Sequence, residues 1–233
     1  MNFLNLTELR KRTVVIRAAP FLLFVGFLML SSAATGWFDL GVSSSLGSWL
    51  VIGRAILVTI VLALFWTAYS ELRDPSSVSA VDWATAVVAG LVVFIVWVEL
   101  HQAGAVMTQS DKFAPLLADG SLDWPMAMLR LAGLALVVPV MEELFWRSLV
   151  LRWIDHHDFL GVEPRKVGLS AFLITTALFA LEHDMLLAGA FAGLVYNALY
   201  MWSGNLWVPI LAHAITNGVL GIWILATGNW RLW

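Results

Sequence analysis

Three short stretches of this chain place acids, imidazoles and an amide within otherwise apolar sequence. They are "EELFWR" at 142–147, "FALEH" at 179–183 and "HAITN" at 213–217. A carboxylate with two imidazoles can activate a water molecule, either as a general base with polar supporters or as a His₂Glu metal site. An Asn four residues after a His shares its helix face and can donate an N–H to a developing oxyanion. Together the stretches predict a hydrolase site.

Each stretch also has an ordinary structural explanation. On a helix, Glu143 and Arg147 are spaced to form an ion pair while Glu142 points about 100° away, which fits a charged helix end. His183 fits a structural hydrogen bond near a helix end, and His213 with its following Asn fits a contact between helices. Because the three stretches occur together in one chain, the catalytic interpretation is favoured over the three separate structural explanations.

The segments that must position these residues have the composition of membrane helices. The chain is 61% hydrophobic and 12% charged, with mean hydropathy +0.85, whereas soluble domains are about a quarter charged. An acid or base at the centre of an inserted helix costs about 2.5–3.5 kcal/mol, so such residues face a cavity or a partner. The net charge of −3 excludes a basic nucleic-acid footprint, and the absence of Cys excludes disulfides and thiolate metal sites.

The apolar runs predict an all-α, polytopic transmembrane helical bundle with about seven spans, six to eight being compatible with their lengths. No segment alternates with period two, which argues against a membrane β-barrel. We expect one integral membrane domain over 1–233, with its catalytic core at 125–225. The predicted spans are 14–34, 49–69, 80–98, 126 to about 151, 167–181, 185–201 and 206–227.

The distribution of Lys and Arg predicts the orientation. Basic residues concentrate at 10–17 and 147–166, which alternating spans place on one side of the membrane. The N-terminus is therefore expected in the cytoplasm. The polar segment 99–125 would then be an extracytoplasmic loop, with room for a re-entrant or interfacial helix.

The three motifs resemble those of the CAAX prenyl endopeptidase and bacteriocin-processing (CPBP, or ABI) family of intramembrane proteases. That family has E-E-x-x-x-R, F-x-x-x-H and H-x-x-x-N on three transmembrane helices, and this chain carries them in that order over roughly 125–225. The first three spans carry no matching motif. The chain looks most like the bacterial CAAX prenyl protease-related group, which implies the bacterial inner (plasma) membrane.

The resemblance implies a role for each motif residue. Glu142 would activate water, His183 would help to hold that water, and His213 and Asn217 would stabilise the oxyanion. Glu143 and Arg147 would be structural or would orient the substrate. The family has been described both as glutamate proteases and as metalloproteases, so the cofactor is either none or Zn²⁺, the latter held by Glu142, His183 and His213.

The expected function is an intramembrane endopeptidase that cleaves a membrane-associated, in some cases lipidated, peptide or protein. Its partners would be membrane lipids and that substrate, with no nucleic acid. Intramembrane Glu and His also serve proton relays, so a proton-coupled transporter is one alternative. A non-catalytic binding or scaffold protein that uses the same polar cavity is another.

Several further features bear on this expectation. Pro139 lies three residues before Glu142 and can kink that helix, and "GAFAG" at 189–193 permits close helix packing, with Asn197 one turn later on the same face. Arg54 and Arg130 lie near span ends, where they can snorkel. Plain crossings, however, would put His183 near the membrane face opposite to Glu142's, because the fourth and fifth spans run in opposite directions.

Overall fold

The computed structural model describes residues 6–37, 45–105, 114–117 and 119–232. Over these residues the chain is helical and has no strand, which confirms the expected all-α bundle. Seven helices form it: α1 Leu6–Trp37, α2 Ser45–Leu64, α3 Ala80–Gln102, α4 Trp124–Asp155, α5 Leu169–Leu181, α6 Leu186–Ser203 and α7 Trp207–Thr227.

Five segments are long and apolar enough to cross a membrane, and two helices contribute shorter apolar stretches. The long segments are Arg12–Leu30, Ala80–Gln102, Trp124–Asp155, Leu186–Ser203 and Trp207–Thr227, and the shorter ones are Ile52–Leu64 and Leu169–Leu181. Together they account for the seven predicted spans. The protein is therefore an integral membrane protein, as its apolar runs predict.

The predicted second span, 49–69, extends beyond the C-terminal end of the observed helix. Helix α2 stops at Leu64, and short 3₁₀ turns follow at Trp66–Ala68 and Ser70–Leu72. Tyr69 lies between these turns, is fully buried, and donates its hydroxyl hydrogen to the Ile16 carbonyl at 3.2 Å. An apolar composition thus continues past the helix because the turn packs against α1.

The loops at one end of the bundle, which we call the loop end, are residues 65–79, 156–168 and 203–206. Contacts hold them together: Asn205 donates to the Asp74 carbonyl at 3.2 Å, and Arg165 donates to the Ser203 carbonyl at 2.9 Å. At the opposite end of the bundle, Asn229 Nδ2 lies 3.2 Å from His101 Nε2. The expected interfacial helix within 99–125 falls mainly on residues 106–113, outside the part of the chain that the structure describes.

The helices of the second half of the chain pack closely, both against α3 and against one another. A Cβ on Gly90 of α3 would lie 2.4 Å from the Ala212 carbonyl of α7, so no larger residue fits there without moving backbone. Gly189 and Gly193 of α6 similarly face His183 and Phe179, with Cβ distances of 3.1 and 3.3 Å. The "GAFAG" face therefore brings α6 against α5 and the turn that follows it.

Candidate active site

Helix α4 changes between α-helical and π-helical geometry on either side of the segment that carries Glu142 and Glu143. Val138–Glu143 is α-helical, but π-helical segments lie on either side, at Gly133–Val137 and Leu144–Leu151. Such π segments are frequent at functional sites, where they redirect side chains. Glu142 and Glu143 occupy the end of the short α-helical piece, and both side chains are buried.

Pro139 explains part of this distortion and the position of Asn217. Proline has no N–H, so in π geometry the carbonyl five residues earlier, that of Leu134, has no backbone donor. Asn217 Nδ2 of α7 donates to this carbonyl at 3.0 Å. One N–H of Asn217 thus ties α7 to the kinked helix, and its second N–H stays available for another acceptor.

Glu143 is the centre of a buried polar cluster. Its Oε1 lies 3.2 Å from Arg147 Nη1, the ion pair that the helical spacing predicts. The same oxygen lies 2.9 Å from His213 Nδ1. A carboxylate only accepts hydrogen bonds, so Nδ1 carries a proton in this contact. Glu143 therefore orients the imidazole of His213 as well as binding Arg147, a role that the sequence does not predict.

Arg147 is held from several directions. Its Nε donates to Asn197 Oδ1 at 3.1 Å, and Asn197 in turn donates to Thr176 Oγ1 at 3.0 Å. The guanidinium also lies over the Phe179 ring, 4.3 Å from its centroid. Arg147 is fully buried, so its part in the cluster is to fix Glu143 between α4, α5 and α6.

His213 connects the cluster to Glu142. Its ring stacks on Tyr196, with centroids 5.0 Å apart, and the Tyr196 hydroxyl donates to Thr216 Oγ1 at 2.8 Å. His213 Nε2 lies 3.9 Å from Glu142 Oε2. That distance is too long for a direct hydrogen bond but suits two groups that contact the same water. Glu142 Oε2 is buried and makes no hydrogen bond to any residue that the structure describes.

His183 reaches the level of Glu142 because α5 is short. Gly168, just before α5, donates its N–H to Asp155 at the end of α4 at 2.8 Å. Helix α5 then has 13 residues, about 20 Å at a rise of 1.5 Å per residue, and Glu142 lies the same number of residues back from Asp155. A plain crossing would put His183 near the opposite face, but α5 ends part-way through the bundle, which brings His183 to the level of Glu142 as the motifs require.

A direct contact between α4 and the turn after α5 supports this shared level. Trp146 Nε1, one turn after Glu142, donates to Glu182 Oε2 at 2.9 Å. His183 packs edge-on to Trp97 of α3 with centroids 5.4 Å apart. Its Nδ1 donates to the Phe179 carbonyl at 2.8 Å, which satisfies a carbonyl at the end of α5. Among the described contacts, His183 has no direct hydrogen bond to Glu142 or His213.

The arrangement does not fit a three-ligand metal site. No group of three His, Asp or Glu side chains in the described ranges is placed to hold a metal ion. Glu142, His183 and His213, expected as ligands if zinc were bound, therefore do not form such a set. The Nδ1 atoms of the two imidazoles contact Glu143 and the Phe179 carbonyl, which leaves the Nε2 of each ring to the site.

The "GAFAG" spacing indicates one site residue beyond the motifs, Asn197. Three other site residues are not identified by the motifs. Tyr196 lies beside Asn197 and could have been found from the same spacing. Trp146 lies four residues after Glu142, on the same helix face. Glu182 sits inside the second motif, yet no spacing rule distinguishes it from its neighbours.

The segment that builds this site is similar to a known protein family. Residues 124–219 match the family model of the type II CAAX prenyl endopeptidases described as Rce1-like. This segment is Rce1-like. It contains all three motifs, which confirms the resemblance to the CAAX protease family, and helices α1 to α3 lie outside it. In comparisons with curated proteins and with solved structures, none matched the chain.

The Rce1-like segment begins with α4 and ends within α7, so its borders coincide with the helices that build the site. Its family is one of CAAX-type intramembrane endopeptidases. The match describes residues 124–219 and does not extend to helices α1 to α3.

Proposed function

We propose that this protein is an intramembrane endopeptidase in which Glu142 activates the hydrolytic water. The observation that carries the proposal is the position of Glu142 Oε2. It is buried without a hydrogen bond to the described residues and lies 3.9 Å from His213 Nε2, inside the Rce1-like segment. A buried carboxylate with an unused oxygen beside an imidazole is suited to accept a proton from water.

The residues divide the hydrolysis between them. Glu142 removes one proton from the water, and the remaining O–H donates a hydrogen bond to His183 Nε2. The water oxygen then attacks the peptide carbonyl carbon. The resulting oxyanion accepts a hydrogen bond from the unused N–H of Asn217. When His213 carries a proton on Nε2, that N–H donates a second hydrogen bond to the oxyanion. As the C–N bond breaks, Glu142 returns the proton to the leaving amine.

Glu143 and Arg147 act as positioning residues in this scheme. Glu143 fixes the Nδ1 proton of His213, which directs Nε2 towards Glu142, and Arg147 holds Glu143. The substrate is a peptide bond of a membrane-associated peptide or protein, including lipidated ones. We further propose that the protein lies in a bacterial inner membrane with the loop end and the N-terminus towards the cytoplasm. The whole chain, 1–233, would be one membrane domain, with the catalytic core at 125–225.

Cleavage by the purified protein in proteoliposomes tests the proposal. Glu142→Gln keeps the size of the side chain but removes the base, so we expect turnover of a membrane peptide library to fall by about 10²–10⁴-fold. Glu163→Gln, on an exposed loop residue, should cleave like the wild type. Retained turnover in Glu142→Gln would contradict the mechanism, and ion flux without cleavage would favour a transporter.

A further inference from the structure

A second polar feature lies away from the site, in a groove between α1, α2 and α4. The cavity has a volume of about 300 Å³ and is lined mainly by apolar side chains, together with two arginines, Arg54 and Arg130. A guanidinium such as that of Arg54 is costly inside an apolar cavity of a membrane protein unless a partner of opposite charge is present. The groove therefore has the composition of a binding site for an amphiphilic anion.

Arg54 has no acidic partner among the residues that the structure describes. Its guanidinium lies over the Phe24 ring, 4.1 Å from the centroid, and its buried Nε makes no hydrogen bond. A cation–π contact offsets only part of the cost of removing a guanidinium from water. An anion in the groove would supply the missing charge and accept the Nε–H.

The groove opens to the outer, lipid-facing surface of the bundle. Four apolar residues on its walls are at least half exposed: Ile56, Ile60, Leu129 and Leu136. On a membrane-spanning bundle such exposed apolar side chains contact acyl chains. The occupant must therefore combine apolar chains with an anionic group.

The depth of the arginines fits a lipid headgroup. Arg130 lies six residues after the start of α4, about 9 Å along the helix, at the end of the bundle opposite to the loop end. Both long side chains can extend towards that surface along the apolar walls. We propose that the groove binds one anionic phospholipid, with its phosphate on Arg54 and Arg130 and its acyl chains along Ile56 and Leu136.

Native mass spectrometry of the delipidated full chain tests this site with phosphatidylglycerol and phosphatidylcholine at equal concentration. We expect one phosphatidylglycerol to be retained with at least about a fivefold preference, the effect of one guanidinium near an anionic headgroup. Arg54→Gln should lower that preference about fivefold. Arg231→Gln removes an exposed arginine outside the groove and should leave it unchanged.

A second variant covers the case in which Arg54→Gln does not fold. Ala132 lines the groove and is exposed, so Ala132→Phe fills the space while keeping both arginines, and it should reduce phosphatidylglycerol retention at least fivefold. Equal retention of the two lipids by the wild type would overturn the proposal. So would unchanged retention in Ala132→Phe, or displacement of the lipid by millimolar inorganic phosphate.

Discussion

Helix α4 carries two buried charge clusters that differ in how completely their polar atoms are paired. In the loop-end cluster, Glu71 accepts hydrogen bonds on both oxygens: Arg17 Nη2 binds Oε2 at 2.6 Å, while Arg152 Nη2 binds Oε1 at 2.7 Å. Ser148 also donates to Glu71 and receives a bond from Arg17 Nε at 3.2 Å.

The site cluster, one to two turns away on the same helix, is incompletely paired. Glu142 Oε2, Glu143 Oε2 and Arg147 Nη2 are buried and have no hydrogen-bond partner among the described residues. Burying unpaired polar atoms costs free energy, and such groups concentrate where a ligand or reacting molecule completes the pairing. The paired cluster therefore holds helices together, whereas we propose that the unpaired one serves the chemistry.

Breaking the paired cluster should give the larger loss of stability. Glu71→Gln leaves Arg17 and Arg152 buried without a carboxylate, a change that costs about 3–5 kcal/mol when one partner of a buried pair is removed. We expect the unfolding midpoint in detergent to fall by roughly 10 °C or more. Glu163→Gln, whose exposed carboxylate pairs with the exposed Lys166 at 2.6 Å, is the matched control and should unfold with the wild type. A similar midpoint for both variants would remove the distinction between the clusters.

Changing the unpaired cluster should instead affect turnover. Glu143→Gln removes the charge that fixes the His213 proton, and loss of such an orienting partner typically costs about 10–100-fold in activity. We expect kcat to fall by this amount with KM little changed and with a shifted pH profile of kcat. If Glu143 served only to hold the helices, the unfolding midpoint would fall and the pH profile would stay in place.

Acid should weaken the loop-end cluster, by a smaller amount. Burial raises the pKa of Glu71, but the hydrogen bond and charge of Arg17, with Ser148 and Arg152, outweigh it and lower the pKa from 4.5 to about 2. A carboxylate with a depressed pKa stabilises the fold above its ordinary pKa, and this contribution is lost as the pH falls from about 4.5 to 2. The wild-type midpoint should therefore drop through this window more steeply than that of Glu71→Gln.

Much of the fold could be predicted from the sequence because long apolar runs leave a chain little choice but to cross the bilayer. The seven spans follow from this. The apolar run 167–181 also predicts the end of α5 at Leu181. The end of α2 could not be predicted, because it depends on a tertiary contact: Tyr69 packs back onto α1.

In the two charge clusters, too, a contact could be predicted only where its residues are close in the sequence. Glu143 and Arg147 are four residues apart, so their pairing follows from helix geometry. Glu71 and Arg152 are separated by 81 positions, and no local pattern relates them. Likewise, the link from Glu143 to His213 joins residues 70 positions apart, and only the packing of α7 against α4 creates it.

The shortness of α5 has a consequence for the surrounding bilayer. Thirteen residues span about 20 Å, against roughly 30 Å of hydrocarbon, and a short hydrophobic segment draws the bilayer inward around it. The polar turn at 182–185 would then sit at the bottom of a local dimple, where water comes within reach of Glu142 from the side. A membrane-anchored peptide could reach the scissile position along this depression by lateral diffusion, without a channel through the bundle.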